Sequence, residues 1–172
     1  MKQAYKNIIK SGVICISLIL AQAAYAETLS SIDIAHMSTE TKMQAQKYFR
    51  AHSFDFSNTF SRYHPGPYWI LHHKDAFQLT TEQVKQEESL KMGMARSTLE
   101  GVAALKLKYD KYASDSKKLN LSIEELMSDV DAIGIAQTRL AKEMIPYHIK
   151  GYALLNPAQM KIYQKLVSEP KK

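Results

Sequence analysis

Hydrophobic positions between residues 80 and 117 recur with the spacing of an α-helix, in a run that contains no proline. The stripe is mostly apolar and lies near a seven-residue period: Val84, Glu88, Lys91, Ala95, Leu99, Val102, Leu105 and Tyr109. A second seam has spacings of three and four, typical of a helix packed against a neighbouring helix: Ile123, Leu126, Val130, Ile133, Gln137, Leu140, Met144 and His148. We expect the polar segment 110–120 to break the first helix and Pro146 to kink or end the second.

The first long helix is preceded by a full set of N-terminal signals in residues 79–83, Leu-Thr-Thr-Glu-Gln. Thr80 is a good N-cap, because its hydroxyl can accept from the backbone N–H of Gln83. The Gln83 side chain, at the third helical position, can reach back to the Thr80 N–H and complete a capping box. Leu79 can then pack against Val84 as a hydrophobic staple.

The same arrangement returns 76 residues later, from Leu155 to Gln159. Here Asn156 is the capping residue, Pro157 occupies the first helical position, and Gln159 takes the position of the earlier glutamine. Two capped starts that flank a pair of long helical patterns predict an all-α protein.

Shorter elements complete the prediction. Ser122 is a third N-cap, and Ser38 can open a helix that ends near Arg50. Residues 52–67 predict an ordered loop whose aromatic side chains pack on the helices, and residues 67–77 predict one short helix.

Residues 1–26 have the pattern of a secretory signal peptide, with three lysines, a largely apolar run and a small-x-small ending at Ala26. The run is shorter than the ~20 apolar residues that span a bilayer, although an uncleaved anchor is the alternative. Cleavage after Ala26 would leave residues 27–172 as a single exported domain and lower the formal net charge from +6 to +3. Cys15, the only cysteine, lies in the signal, so that domain would have no disulfide.

The motifs at residues 79–83 and 155–159 resemble those of the Spy/CpxP family of periplasmic stress proteins, also called the LTxxQ-motif family. The resemblance covers residues 64–166, includes the entry His-Pro-Gly-Pro at 64–67, and departs at Asn156, where threonine is common. It implies an elongated hooked hairpin of four to five helices that forms a curved antiparallel homodimer in the periplasm. It also implies one of two roles: ATP-independent binding of unfolded or misfolded envelope proteins, or heavy-metal sensing or buffering.

The motif residues can be read as helix caps and staples or as contacts to a client or partner: Leu79, Thr80, Gln83, Leu155, Asn156 and Gln159. A client surface also needs adaptable apolar side chains and charge, which the first long helix offers at Met92, Met94, Lys85, Lys91 and Arg96. The methionines can alternatively belong to the core. Acidic residues interleave with the cations, which predicts a mixed charged surface: Glu82, Glu87, Glu88, Glu100 and Asp110. A third possible role is a helical module that controls a membrane sensor partner.

Histidine and methionine provide candidate ligands for zinc, nickel or copper: His72, His73, Met144 and His148. Met144 and His148 are four residues apart, so a continuous helix would place them on one face. The metal-sensing relatives carry such a pair in the opposite order, and here Pro146 intervenes. The alternative is that these histidines are solvent-facing or hydrogen-bonded.

Signatures of catalysis are missing from the sequence, which has no phosphate-binding glycine loop, no His-Glu-x-x-His and no nucleophile elbow. Asp129 and Asp131 are expected to be solvated. The absence of a basic stripe argues against nucleic-acid binding. We therefore expect neither enzymatic activity nor a required cofactor, and no stable membrane insertion after signal cleavage.

Overall fold

The computed structural model describes residues 36–169, and every regular element in that part of the chain is an α-helix. The helices are α1 (Thr39–His52), α2 (Phe60–Tyr63), α3 (Pro67–His72), α4 (Lys74–Phe77), α5 (Thr81–Asp115), α6 (Ile123–Ala153) and α7 (Pro157–Ser168). The all-α prediction is confirmed for these residues. The predicted signal peptide lies outside them, and none of the described helices is apolar over a length that could cross a bilayer.

The two long helices, α5 and α6, pack antiparallel. The hydroxyls of Ser97 and Tyr147 are 2.9 Å apart, while nearer the connection Lys111 Nζ lies 2.5 Å from Asp129 Oδ1. At 1.5 Å per residue, the 35 residues of α5 extend about 50 Å. The main core cluster lies between these helices, α1 and the loop after it: Phe49, Phe56, Val102, Leu105, Ile133, Leu140 and Met144.

The short helices and α7 form a second core cluster around Ile70, Phe77, Leu155 and Tyr163. The prediction of one helix over residues 67–77 is wrong in detail. The backbone departs from helical geometry between α3 and α4, and α4 ends where Gln78 adopts the left-handed conformation with φ 51°.

Two predicted N-caps of other helices are confirmed. The Ser38 side chain accepts from Thr41 N–H at the start of α1, and the Ser122 side chain accepts from Glu125 N–H at the start of α6. Each hydroxyl satisfies a backbone donor that has no partner within its own helix.

The loop between α1 and α2 follows the prediction in part. Phe56 is buried and lies edge-on to Phe49, with ring centroids 5.8 Å apart. Phe54, however, is exposed and has φ 52°. Not all the aromatic residues of this loop therefore pack on the helices.

Of the two effects predicted for Pro146, a kink or an end of the helix, the end does not occur, because α6 continues to Ala153. Pro146 and Lys142 are both exposed. Proline removes the N–H that would bond the Lys142 carbonyl, and on the solvent side water can take its place. The loss of one ladder bond is therefore tolerated without ending the helix.

The polar segment after residue 110 also remains helical, through Asp115. Lys111 Nζ lies 2.6 Å from Asp115 Oδ2, and Lys118 Nζ lies 2.9 Å from Asp115 Oδ1. The hydrogen bond from Lys111 is the main reason that the pKa of Asp115 lies well below its usual range. These ion pairs, which join residues three or four positions apart, hold the last turn in place of apolar contacts.

Asp129 is buried, which contradicts the prediction that it is solvated. It forms an ion pair with Lys111 of α5. The predicted seam assigned the buried position to Val130, but Val130 is exposed and Asp129 is buried in its place. Ile123 of the same predicted seam is also exposed. Near its N-terminus, α6 therefore faces α5 through an ion pair between the buried carboxylate of Asp129 and the half-exposed ammonium group of Lys111.

Candidate functional site

Both predicted capping boxes are present. Thr80 Oγ1 accepts from Gln83 N–H at 3.2 Å, and Gln83 Oε1 accepts from Thr80 N–H at 3.0 Å. Asn156 Oδ1 accepts from Gln159 N–H at 3.0 Å, and Gln159 Oε1 accepts from Asn156 N–H at 2.9 Å. The helix starts of α5 and α7 are therefore built in the same way.

The two capping boxes are also bonded to each other. Gln83 Nε2 donates to Gln159 Oε1 at 2.8 Å, and Gln159 Nε2 donates to Gln83 Oε1 at 3.0 Å. The remaining amide hydrogens bond backbone carbonyls, that of Leu154 for Gln83 and that of Phe77 for Gln159. Each side-chain amide thus uses both donors and accepts twice. We call Thr80, Gln83, Asn156 and Gln159 the glutamine junction.

The apolar residues of the two motifs lie beside this junction. Leu155 is buried in the second core cluster, and Leu79 packs against that cluster while partly exposed. Gln159 is only 4% exposed. The glutamine junction bonds the starts of α5 and α7 to each other and to the backbone at the ends of α4 and α6. Its role is therefore to stabilise the fold. The sequence predicts each capping box separately but not the pairing between them.

Glu87 lies one turn after Gln83 and is fully buried. Neither of its carboxylate oxygens has a hydrogen-bond partner among the described residues. Burial raises the pKa of Glu87 to about 7, since removal from water disfavours the charged form. The prediction that Glu87 belongs to a mixed charged surface is wrong. Periodicity gives only a weak signal for it, because Glu87 stands four residues after Gln83.

Gly151 of α6 makes room for this carboxyl group. A Cβ atom at that position would come within 2.9 Å of Glu87 Oε2 and within 3.3 Å of Ile70 Cδ1. The close approach of α6 to α5 at this point therefore requires a residue without a side chain.

The predicted client-binding residues divide between surface and core. Lys85, Met92 and Arg96 are exposed and recur at spacings of seven and four, which places them on one face of α5. Lys91 forms an ion pair with Glu88. Met94 is partly buried and packs against the main core cluster, in agreement with the alternative that methionines at this spacing belong to the core.

The predicted metal ligands occupy two places. Met144 and His148 are buried and line the same cavity, whereas His72 and His73 do not line it. His73 Nδ1 is 2.9 Å from the Trp69 carbonyl oxygen, and His72 is exposed. Within residues 36–169, no three side chains of histidine, cysteine, aspartate or glutamate are grouped so as to hold a metal ion.

His148 is held firmly in that cavity. Its Nδ1 lies 2.6 Å from the carbonyl oxygen of His64, and its ring packs edge-on to Phe56. Nδ1 must donate to a carbonyl, so Nε2 of the neutral ring carries the free lone pair. Burial lowers the pKa of His148, which favours this neutral form. The Thr98 hydroxyl lies 3.1 Å from the Met144 sulfur and 2.9 Å from the Met94 carbonyl oxygen, so its one hydrogen is shared between these two acceptors.

One further feature is not predicted, an exposed apolar surface on α6. Six of its side chains are between 39% and 70% exposed and lie within about 140° of the helix circumference, an arc that also contains the exposed charged residues Glu124, Asp131 and Lys142. We call this set the α6 apolar face: Ile123, Met127, Val130, Ile135, Ile145 and Ile149. A signal was available in the sequence, because α6 has more apolar residues than a single helix-packing stripe requires.

The fold and the junction together define a class: an all-helical protein with two long antiparallel helices and a pair of capping boxes bonded through reciprocal glutamine side chains. No family model, curated protein or solved structure matches this chain.

Proposed function

We propose that this protein is an exported, ATP-independent chaperone or envelope-stress adaptor that binds unfolded or misfolded proteins. The α6 apolar face is the observation that carries the proposal. Large apolar side chains that remain exposed together mark interaction surfaces. Unfolded polypeptides present apolar segments of varied shape. The isoleucine and valine side chains of this face offer them apolar contact area, and the flexible side chain of Met127 can adapt to their shape.

Charge on α5 supports the same role. Lys85, Met92 and Arg96 place two cations beside a flexible thioether on the exposed side of that helix. Neither Lys85 nor Arg96 forms an ion pair with an acidic residue of the described chain. Such cations attract acidic segments of a client and speed its encounter with the protein.

The resemblance of the two motifs to the Spy/CpxP family supports location in the periplasm and a curved antiparallel homodimer of hooked hairpins. Light scattering of the chain from residue 27 onward tests the dimer through its mass. In this arrangement the bound client would be an envelope protein, and a membrane sensor is the alternative partner.

The chaperone proposal predicts near-stoichiometric suppression of client aggregation. A triple variant of the α6 apolar face, Met127→Gln, Val130→Ser and Ile135→Ser, is expected to suppress several-fold less, because it removes apolar contact area. Light scattering of a chemically denatured client after dilution measures the effect, and circular dichroism checks that the variant is folded.

Leu119→Ser is the matched control, because Leu119 is fully exposed in the connection before α6 and lies outside the α6 apolar face. This variant should suppress aggregation as well as the parent does. Failure of the folded parent protein to suppress aggregation would contradict the chaperone proposal. If the triple variant suppressed aggregation as well as the parent does, the α6 apolar face would not be the client-binding surface.

A metal sensor or buffer is the second candidate function, and the orientation of His148 favours it. An imidazole whose Nδ1 donates to a backbone carbonyl has the arrangement common among metal-binding histidines, with Nε2 available as a ligand. Met144 stands one turn earlier and lines the same cavity. Imidazole with thioether suits copper, nickel or zinc.

Calorimetric titration with these three ions tests the metal proposal. His148→Ala is expected to weaken metal binding at least tenfold. The variant loses the imidazole ligand, and the Met144 thioether that remains would bind these ions poorly by itself. His52→Ala serves as the control, since His52 stacks on Tyr48 and does not line the cavity. Unchanged affinity in His148→Ala excludes this site.

A further inference from the structure

The cavity that contains Met144 and His148 has a volume of about 350 Å³. This volume lies near the lower end of the ~300–1,000 Å³ range of small-molecule sites. The buried part of its lining consists of Phe49, Phe56, Pro65, Gly66, Met144 and His148. Trp69 contributes a partly buried indole. We call it the aromatic cavity.

The charge of the lining has one sign. Arg50 of α1 and Arg62 of α2 line the aromatic cavity, and within residues 36–169 no aspartate or glutamate does. Within the described chain neither arginine forms an ion pair, whereas Arg139 on the surface of α6 is bonded to Glu143 at 2.6 Å. Arg62 instead lies 5.7 Å from the ring centroid of Tyr63. Two guanidinium groups therefore stand, with no carboxylate among the described lining residues, beside a cavity that offers both aromatic and polar side chains.

We propose that the aromatic cavity binds a small apolar group that carries a carboxylate. Guanidinium groups match carboxylates in charge and in bidentate geometry, and both arginines are exposed enough to meet one. The aromatic and thioether side chains would bury the apolar body of the ligand.

Two sources share this chemistry: a free aryl carboxylic acid, and the C-terminus of a peptide that ends in an aromatic residue. The proposal goes beyond the chaperone role, because it concerns a defined end group held in a cavity rather than an extended segment on the α6 apolar face. The carboxylate proposal can therefore be tested whether or not the protein suppresses aggregation.

Trp69 is the only tryptophan of the chain and lines the aromatic cavity, so its fluorescence reports binding without a label. The probes are 3-phenylpropionate and an N-acetylated tripeptide ending in phenylalanine. Their amides, which lack the negative charge, are the controls. We expect a saturable change of fluorescence with at least one carboxylate and binding at least tenfold weaker with its amide. The carboxylate that binds more tightly identifies the source.

Variants of the parent protein test the role of the arginines. Arg50→Gln and Arg62→Gln are each expected to raise Kd for the carboxylate about tenfold. Lys47→Gln removes an exposed cation from the same helix as Arg50 but outside the lining, and it should leave Kd unchanged. Circular dichroism confirms the fold of each variant.

Three outcomes overturn the proposal: no fluorescence change with either carboxylate, equal affinity for carboxylate and amide, or affinity unchanged in the folded Arg50→Gln/Arg62→Gln double variant. A loss of affinity in Lys47→Gln as large as in the arginine variants would also overturn the proposal. It would show that general charge attraction, and not a local site, binds the carboxylate.

Discussion

Replacing Gln159 by alanine is expected to lower the free energy of unfolding by about 3–4 kcal/mol. The change removes the acceptor of the Asn156 N–H and of Gln83 Nε2, and the donor to the Phe77 carbonyl. Gln159 is almost fully buried, so water cannot easily replace these bonds. Urea unfolding at pH 7, followed by circular dichroism, measures the loss.

Gln86→Ala is the matched control for the junction. Gln86 stands in the same helix as Gln83, but its amide bonds only the exposed Glu82, at 2.9 Å. We expect this variant to change stability by less than about 0.5 kcal/mol. A loss of under about 1 kcal/mol in Gln159→Ala would contradict the structural role of the glutamine junction.

The pairing of the two glutamines also predicts that their contributions to stability are not additive in the same urea experiment. The double variant Gln83→Ala/Gln159→Ala should lose less stability than the sum of the single variants, because each single change leaves the other amide without its partner. Strict additivity would mean that the two amides act independently.

Glu87 should make the protein less stable as the pH rises from about 4.5 to about 7. Burial raises the pKa of Glu87 in the folded protein to about 7, from the ordinary value of 4.5 for a glutamate side chain. In this window the folded chain holds a proton that the unfolded chain releases, so raising the pH favours unfolding. The full contribution, about 3 kcal/mol, is reached near pH 8.

Glu87→Gln isolates this contribution from that of other groups. His148 acts in the opposite direction, because its lowered pKa makes the fold lose stability as the pH falls through the range below 6.5. The variant keeps His148, so the difference between variant and parent belongs to Glu87. We expect similar stability of the two proteins at pH 4.5 and a variant more stable by about 2–3 kcal/mol at pH 8.

Urea unfolding at pH 4.5, 6 and 8 measures this difference, with Glu82→Gln as the exposed control in the first turn of the same helix. Parallel pH profiles of the parent and Glu87→Gln would show that the buried carboxyl titrates as an ordinary glutamate. NMR titration of the Glu87 carboxyl carbon gives a direct second measurement, with a midpoint near pH 7 expected.

Helix starts were the most predictable part of the fold, because an N-cap is decided by residues within one turn. Ser38, Thr80, Ser122 and Asn156 all cap as predicted. Helix ends were less predictable. The ion pairs of Asp115 extend α5 beyond its apolar pattern, and solvent exposure allows Pro146 inside α6.

Positions of single side chains within the predicted helices were partly predictable. Val102, Leu105, Ile133 and Leu140 are buried as the apolar patterns predict. Asp129 is buried against expectation, because its partner Lys111 comes from the facing helix, eighteen residues away in sequence. Composition and period do not reveal such a partner.

The candidate site shows the same division. Each capping box of the glutamine junction could be predicted from a five-residue motif. The hydrogen bonds between the two boxes, however, join residues 76 positions apart. Met144 and His148 were correctly placed on one face of a helix, and both line the aromatic cavity. The arginines of that cavity come from α1 and α2, and nothing in their local sequence sets them apart.

The amino-acid sequence by itself determined the helical class and the places where the capped helices begin, because propensity, period and capping act within a few residues. Only the tertiary structure decided which polar groups are buried and what they bond. In the described part of the chain Glu87 lacks a hydrogen-bond partner and Gln159 has several, because desolvation and hydrogen bonding depend on neighbours that folding brings together from distant positions.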